Sequence, residues 1–257
     1  MANLRVIPAN LADNAAVSAS TVAGTYVAAN MQNGTRSARW RSTGTSATIT
    51  IAFAADVSID SVALMGGNLS TSATWQVKLL NAAAATLFDS TAVNAAPAGW
   101  LSSQSILWLP TIYSTVRSIT IAIVDTSNPS GYIEAARVVA GLKWSASSNM
   151  TYGAQLSIAP ADIQGRAEDG TLRGEKRAVS RELSFGYDAL TEADRTSLMT
   201  YAATLGQFQD FLISGYPGDS SATKEMQHMM MAKFSGNVST TVAYFSTHSA
   251  QVKVVEA

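Results

Sequence analysis

The chain has 257 residues, 47% of them hydrophobic and only 14% charged, which is enough apolar material for two folded domains and too little charge for a disordered chain. A formal net charge of −1 supplies no basic stripe for nucleic acid, and a cysteine count of 0 removes disulfides, thiolate nucleophiles and cysteine-ligated metals. The opening MANLRVIPANLADNAA lacks the basic start and long apolar core of a secretory signal, and no stretch nears about 18 uninterrupted apolar residues, so neither an ordinary leader nor a membrane span is expected.

The first feature is ARWRST, which sets Trp40 between Arg39 and Arg41 just ahead of the alternating stretch TITIAF. Ile49, Ile51 and Phe53 share one face there, the signature of a half-buried strand over 48–53. Trp40 has the opposite parity from its two arginines. Packing into a sandwich core is favoured for it over stacking on a ligand, because a large aromatic beside a strand is usually buried. Further strands are predicted at 58–65, 74–80, 85–89, 105–109 and 118–124, separated by turn-rich stretches such as GGNLSTS and DTSNPSG. Short strands between polar turns, without helical periodicity, predict an antiparallel jelly-roll sandwich over residues 1–140.

The pattern changes after residue 140. Strands are predicted at 154–158 and 178–187, then a helix at 191–205, with Thr191 as its cap, Asp194 in its first turn and Gly206 as its stop. Strands follow at 208–213, 226–234 and 242–255, so residues 141–257 read as a β-sandwich domain with one packed helix. Residues 1–140 hold 7 of the 17 Lys and Arg and 6 of the 18 Asp and Glu, so charge density rises in the second part. The fold class is mainly β throughout.

Catalytic chemistry finds little support. His228 and His248 stand alone: the first shares a strand face with Met226, Met230 and Phe234 and reads as packed, and the second reads as lying in a turn or bulge. There is no G-x-S-x-G elbow, P-loop or G-x-G-x-x-G fingerprint, and two separate histidines do not make a zinc site. Glu168 and Asp169 fit a hairpin turn with Gly170, while Glu192 and Asp194 fit the positive end of a helix dipole. The expectation is therefore a non-enzyme with no catalytic, cofactor-binding or metal-ligating residues. Arg173, Arg177 and Arg181 share one parity and are candidates for intersubunit contacts ahead of a solvated face, and the Met-rich run HMMMAKF reads as core or subunit-interface packing ahead of an adaptable binding surface.

Two resemblances rest on particular stretches. ARWRST, TITIAF and VSIDSVALMGGNLSTSATWQVKLLN resemble, in that order, the galactose-binding-like or discoidin-type jelly roll, in which sugar or lipid contacts come from loops at one end. AGLKWSASSNMTYG, a charged hairpin, an arginine-rich strand ending in F-x-x-D-x-L-T, a helix and a closing β segment resemble tailed-bacteriophage tail-tip and distal tail proteins. The second resemblance implies a structural virion component, made in the host cytoplasm. Such proteins assemble into a ring, commonly a hexamer, that joins the tail tube to the adsorption apparatus and meets other tail proteins. The order of parts departs from that family, since the jelly-roll-like part comes first. The rival expectation is a carbohydrate-binding module for a host-surface glycan, with Trp75, Trp100 or Trp108 stacking on a sugar. A glycan hydrolase stands third.

Overall fold

The computed structural model describes residues 2–95, 102–244 and 247–257. The chain divides into two compact units, Met1–Ser145 with Phe211–Met231, and Ala146–Asp210 with Ala232–Ala257. The expected contiguous blocks are thus interleaved, because a segment of about twenty residues returns to the first unit.

In chain order the strands are β1 (Arg5–Ile7), β2 (Ala16–Ala19), β3 (Trp40–Arg41), β4 (Ser46–Gly67), β5 (Thr74–Leu80), β6 (Thr86–Asp89), β7 (Val93–Asn94), β8 (Ser103–Val124), β9 (Glu134–Ala135) and β10 (Arg137–Gly141). Then come β11 (Gln155–Pro160), β12 (Ile163–Arg166), β13 (Leu172–Glu175), β14 (Val179–Leu190), helix α1 (Glu192–Leu205) and β15 (Phe211–Ser214). Helix α2 (Ala222–Gln227), β16 (Met229–Phe234), β17 (Ser239–Tyr244) and β18 (Thr247–Glu256) close the chain.

The first unit is built on two long strands. The stretches 48–53 and 58–65, expected as separate strands, are both parts of β4, and 105–109 and 118–124 are both parts of β8. These two strands pair antiparallel through register shifts between Ala52 and Val57 and between Ile59 and Ser61. Extra residues in one strand bend it without ending the ladder, so an exposed interval such as Ala54–Ala55–Asp56 need not be a turn. Beyond the shifts, the first half of β4 pairs with β2 and the second half with β10, while β5 lies along the last part of β8. The two halves close on one core: Ile49, Ile51, Ile119, Ile121, Ile123, Val77 and Leu79 belong with Ile59, Val62, Leu64, Val138 and Trp40 to a single buried cluster. A second cluster, Ile7, Ala63, Met65, Val139, Leu212 and Met229, covers the other face of the β4–β10 half.

The second unit is an antiparallel sheet in which β14 lies between β11 and β18, and β17 pairs with the first part of β18. Helix α1 matches its expected bounds: the Thr191 hydroxyl accepts from the Asp194 amide at 3.1 Å, and Gly206 ends it at φ 54°. Leu198 and Leu205 are its buried side chains. The hairpin predicted at Asp169–Gly170 joins β12 to β13, with the Thr171 amide donating to Asp169 Oδ1 at 2.8 Å.

One local expectation is corrected and another is narrowed. His228 does not lie in a strand but caps the C-terminus of α2, which starts because the Ser221 side chain accepts from the Lys224 amide. His248, expected in a turn or bulge, sits at register shifts in the pairing of β18 with both β14 and β17. It lies in β18, is 8% exposed, and its Nε2 sits 2.7 Å from Glu192 Oε2.

Candidate functional site

The site grows out of the ARWRST stretch. β3 pairs antiparallel with β9, so that Trp40 faces Ala135 and Arg41 faces Glu134 across the ladder. Alternation sends one pair inward and the other outward. Trp40 and Ala135 are both 0% exposed, and the Trp40 indole N–H donates to the carbonyl of Thr21 at 3.0 Å. Trp40 therefore anchors the segment between β2 and β3 from beneath and has no face for a ligand.

On the opposite face, the carboxylate of Glu134, itself largely buried, organises two partly exposed arginines. Glu134 Oε1 accepts from Arg39 Nη1 at 2.8 Å, and Oε2 accepts from Arg41 Nη2 at 2.7 Å and Nε at 3.0 Å. Those bonds to Glu134 hold the Arg41 guanidinium above its ordinary pKa, outweighing a smaller opposing effect of burial. The Arg41 guanidinium carbon lies 4.3 Å from the ring centre of Tyr26 and 4.2 Å from that of Tyr132, so the cation is stacked by both tyrosines.

Each partner is held by backbone. The Ala23 amide donates to the Arg41 carbonyl at 2.9 Å and the Arg41 amide to the Tyr26 carbonyl at 3.2 Å, so the Ala23–Tyr26 turn lies along Arg41. Asn68 bridges the other side, accepting from the Glu134 amide at 2.8 Å and donating to the Tyr132 carbonyl at 2.9 Å. Buried Asp125 ties the neighbouring loops together by accepting from the Ser70 amide at 2.8 Å, from the Ser70 hydroxyl, and from Asn128 Nδ2 at 3.0 Å. The approach of Asn68 depends on glycine. A Cβ at Gly67 would stand 2.9 Å from the Glu134 carbonyl, and Gly66, at φ +66°, offers its own carbonyl to Arg39 Nη1 at 3.3 Å.

The surface beside the arginines is apolar. Val22, Tyr26 and Val27 are 36%, 38% and 44% exposed, a run of uncovered apolar side chains within six residues. An aromatic next to fixed, charged donors is an arrangement suited to an amphipathic ligand with a CH face and polar edges.

The tryptophans expected to stack on a sugar are placed elsewhere. Trp75 is 2% exposed inside the main core of the first unit, so it has no open face. Trp100 lies outside the described residues. Trp108 packs on the second cluster, donates its indole N–H to Glu225 Oε1 at 2.7 Å and carries the Arg5 guanidinium 4.9 Å from its ring centre. Glu225 also accepts from the Gly218 amide at 2.9 Å and the Ser214 hydroxyl at 3.2 Å, which makes Trp108 part of a structural network.

The three arginines expected to share a face do not. Arg173 is exposed in β13, Arg177 follows in the segment before β14, and Arg181 is 2% exposed in β14. The extended run they were read on is broken between Glu175 and Val179, so parity is not carried through. Arg181 is spent inside the unit, its Nη2 donating to Glu256 Oε1 at 2.7 Å. Tyr26 and Tyr132 had no signal in the sequence beyond following a glycine or threonine in turn-like stretches; their convergence on Arg41 is a property of the fold. Among the described residues no group of three or more His, Cys, Asp or Glu is placed to hold a metal ion.

No family model matches the chain, and no curated protein sequence matches it. Solved structures similar to it include chitosan-binding module 1 of a chitosanase/glucanase from Paenibacillus sp. IK-5, at a TM-score of 0.40 and 15% identity over 51% of this chain and 98% of that one. The family 32 carbohydrate-binding module of C. perfringens NanJ in complex with galactose gives 0.43 and 11%, covering 55% of this chain and 99% of that module. A Ruminococcus gnavus GH29 fucosidase in complex with fucose gives 0.43 and 17% over 53% of this chain, but only 27% of the enzyme.

Proposed function

We propose that this protein is a non-enzymatic glycan-binding protein whose first unit takes a saccharide at the surface formed by Tyr26, Arg39, Arg41 and Tyr132. The observation that carries this reading is the partly exposed Tyr26 ring standing beside a guanidinium already fixed by Glu134. Stacking and directional donors are thereby available together without ordering the loop on binding. A glycan array that includes neutral and acidic glycans, read for the full chain and for Tyr26→Ala, tests it. Saturable binding that falls in the variant is expected; no binding to any glycan would refute the reading.

A second reading, a ring-forming component of a phage tail tip carried in the virion, is favoured by a different observation. In the second unit Tyr152, Phe208 and Val242 are 108%, 85% and 69% exposed, and Leu172 and Ile163 of the β12–β13 hairpin are 56% and 49% exposed. Large apolar side chains left uncovered in one unit favour contact with another copy of the chain or a neighbouring tail protein. Electron microscopy and mass photometry of the purified chain test this: rings support it, and a monomer that does not join tails refutes it. Both readings hold together if the ring displays many copies of a weak glycan site.

A further inference from the structure

We infer that the ligand of the Tyr26–Arg41 surface is an acidic saccharide, whose carboxylate or sulfate group is received by the two arginines while its ring lies against Tyr26. This rests on the glycan reading above and specifies the chemistry of the sugar.

Glu134 offers one negative charge to two guanidinium groups, one on each oxygen. Arg39 uses Nε on the Arg36 carbonyl and Nη1 on Gly66 and Glu134, whereas Arg41 uses Nε and Nη2 on Glu134. Among the described residues, Nη2 of Arg39 and Nη1 of Arg41 have no hydrogen-bond partner. Two nitrogens on neighbouring, immobilised cations thus keep unused N–H donors, on Arg39 and Arg41 side chains that are 35% and 28% exposed.

The local charge points the same way. In direct contact at the site, the two guanidinium groups of Arg39 and Arg41 stand against the single carboxylate of Glu134. Asp125 is 1% exposed and occupied by Ser70 and Asn128, so it does not offset the surface charge by direct contact. A chain with a net charge of −1 therefore keeps a local positive excess beside an apolar loop surface.

The tyrosines decide which anions fit. Tyr26 and Tyr132 both lie against the Arg41 guanidinium, whose planar N–H edge matches the oxygens of a carboxylate or sulfate. A neutral sugar would use Tyr26 but leave the excess charge without a counter-charge. An acidic sugar satisfies both, and its charge-assisted bonds are about twice as strong as neutral ones.

Calorimetric titration of the full chain with oligogalacturonate, its fully methyl-esterified form, dextran sulfate and dextran tests the inference. Oligogalacturonate or dextran sulfate is expected to bind at least about tenfold more tightly than its uncharged counterpart, and more weakly as salt rises. Whichever acid binds identifies the anionic group. Arg39→Gln and Arg41→Lys are expected to weaken the acidic ligand by about tenfold, and Tyr26→Ala to weaken acidic and neutral ligands alike. Equal affinity for charged and uncharged forms, or unchanged acid binding in Arg39→Gln, would overturn the inference while leaving glycan binding standing. Failure of all four ligands, with a blank array, would overturn both. If Arg41→Lys does not fold by circular dichroism, the affinity of Arg39→Gln for the acidic ligand decides the matter.

Discussion

Replacing Trp40 with alanine removes a side chain that is 0% exposed in the main core of the first unit and whose N–H reaches the Thr21 carbonyl at 3.0 Å. Emptying a buried tryptophan site costs about 3–5 kcal/mol, from lost transfer free energy and the cavity left behind. The lost hydrogen bond accounts for about 1 kcal/mol of the total effect. Against the roughly 5–15 kcal/mol that holds a typical domain together, this is a large fraction. With a urea slope of about 2 kcal/mol/M, the first unit's midpoint should fall by about 2 M, read by far-ultraviolet circular dichroism so that losing one tryptophan does not distort the signal. Trp40→Phe keeps most of the packing and loses the N–H, so a smaller cost of about 1–2 kcal/mol is expected, with weaker glycan binding because the Thr21 anchor is gone. A shift below about 0.5 M for Trp40→Ala would refute the placement of this residue as a core anchor.

Two predictions concern the second unit. Glu256→Gln removes the carboxylate charge that faces the buried Arg181 guanidinium at 2.7 Å, and should destabilise by about 3–5 kcal/mol. Replacing both by methionine should cost less than the single change, because the cost of burying a charge is removed with the charge. Chemical denaturation of the two variants decides this, and an equal cost would refute it. For acid stability, burial raises the Asp194 pKa, but hydrogen bonds from Ser147 and Thr191 prevail and hold it below the ordinary 3.8. Its contribution is therefore present above the unfolded value and lost as pH falls through the folded one, so the second unit should weaken as the medium is acidified below about pH 4. Asp194→Asn should flatten that acid limb in urea midpoints measured from about pH 2 to 6, and a parallel pH profile would count against the assignment.

How much of the site was legible depended on distance along the chain. Trp40 inside with Arg39 and Arg41 outside follows from parity alone, since neighbours in an extended segment point to opposite faces. The Thr191 cap and Gly206 stop of α1 were legible for the same reason: each acts within one turn of its own helix. Glu134 lies 93 residues from Arg41, and nothing local marks it as the carboxylate that orders two arginines.

The sequence by itself determined the mainly β class, the alternating core faces and the single long helix, because those depend on periodicity and on groups a few residues apart. Only the tertiary structure decided that β4 and β8 continue through their bulges, that residues 211–231 belong to the first unit, and that Trp75 is core and not a sugar platform. It also decided where the candidate site lies. Register between β3 and β9 sets Arg41 opposite Glu134, and loop closure brings Tyr26 and Tyr132 onto the same cation. Such contacts follow from packing among distant segments, whose free energy is shared by many residues and written in no one stretch of the chain.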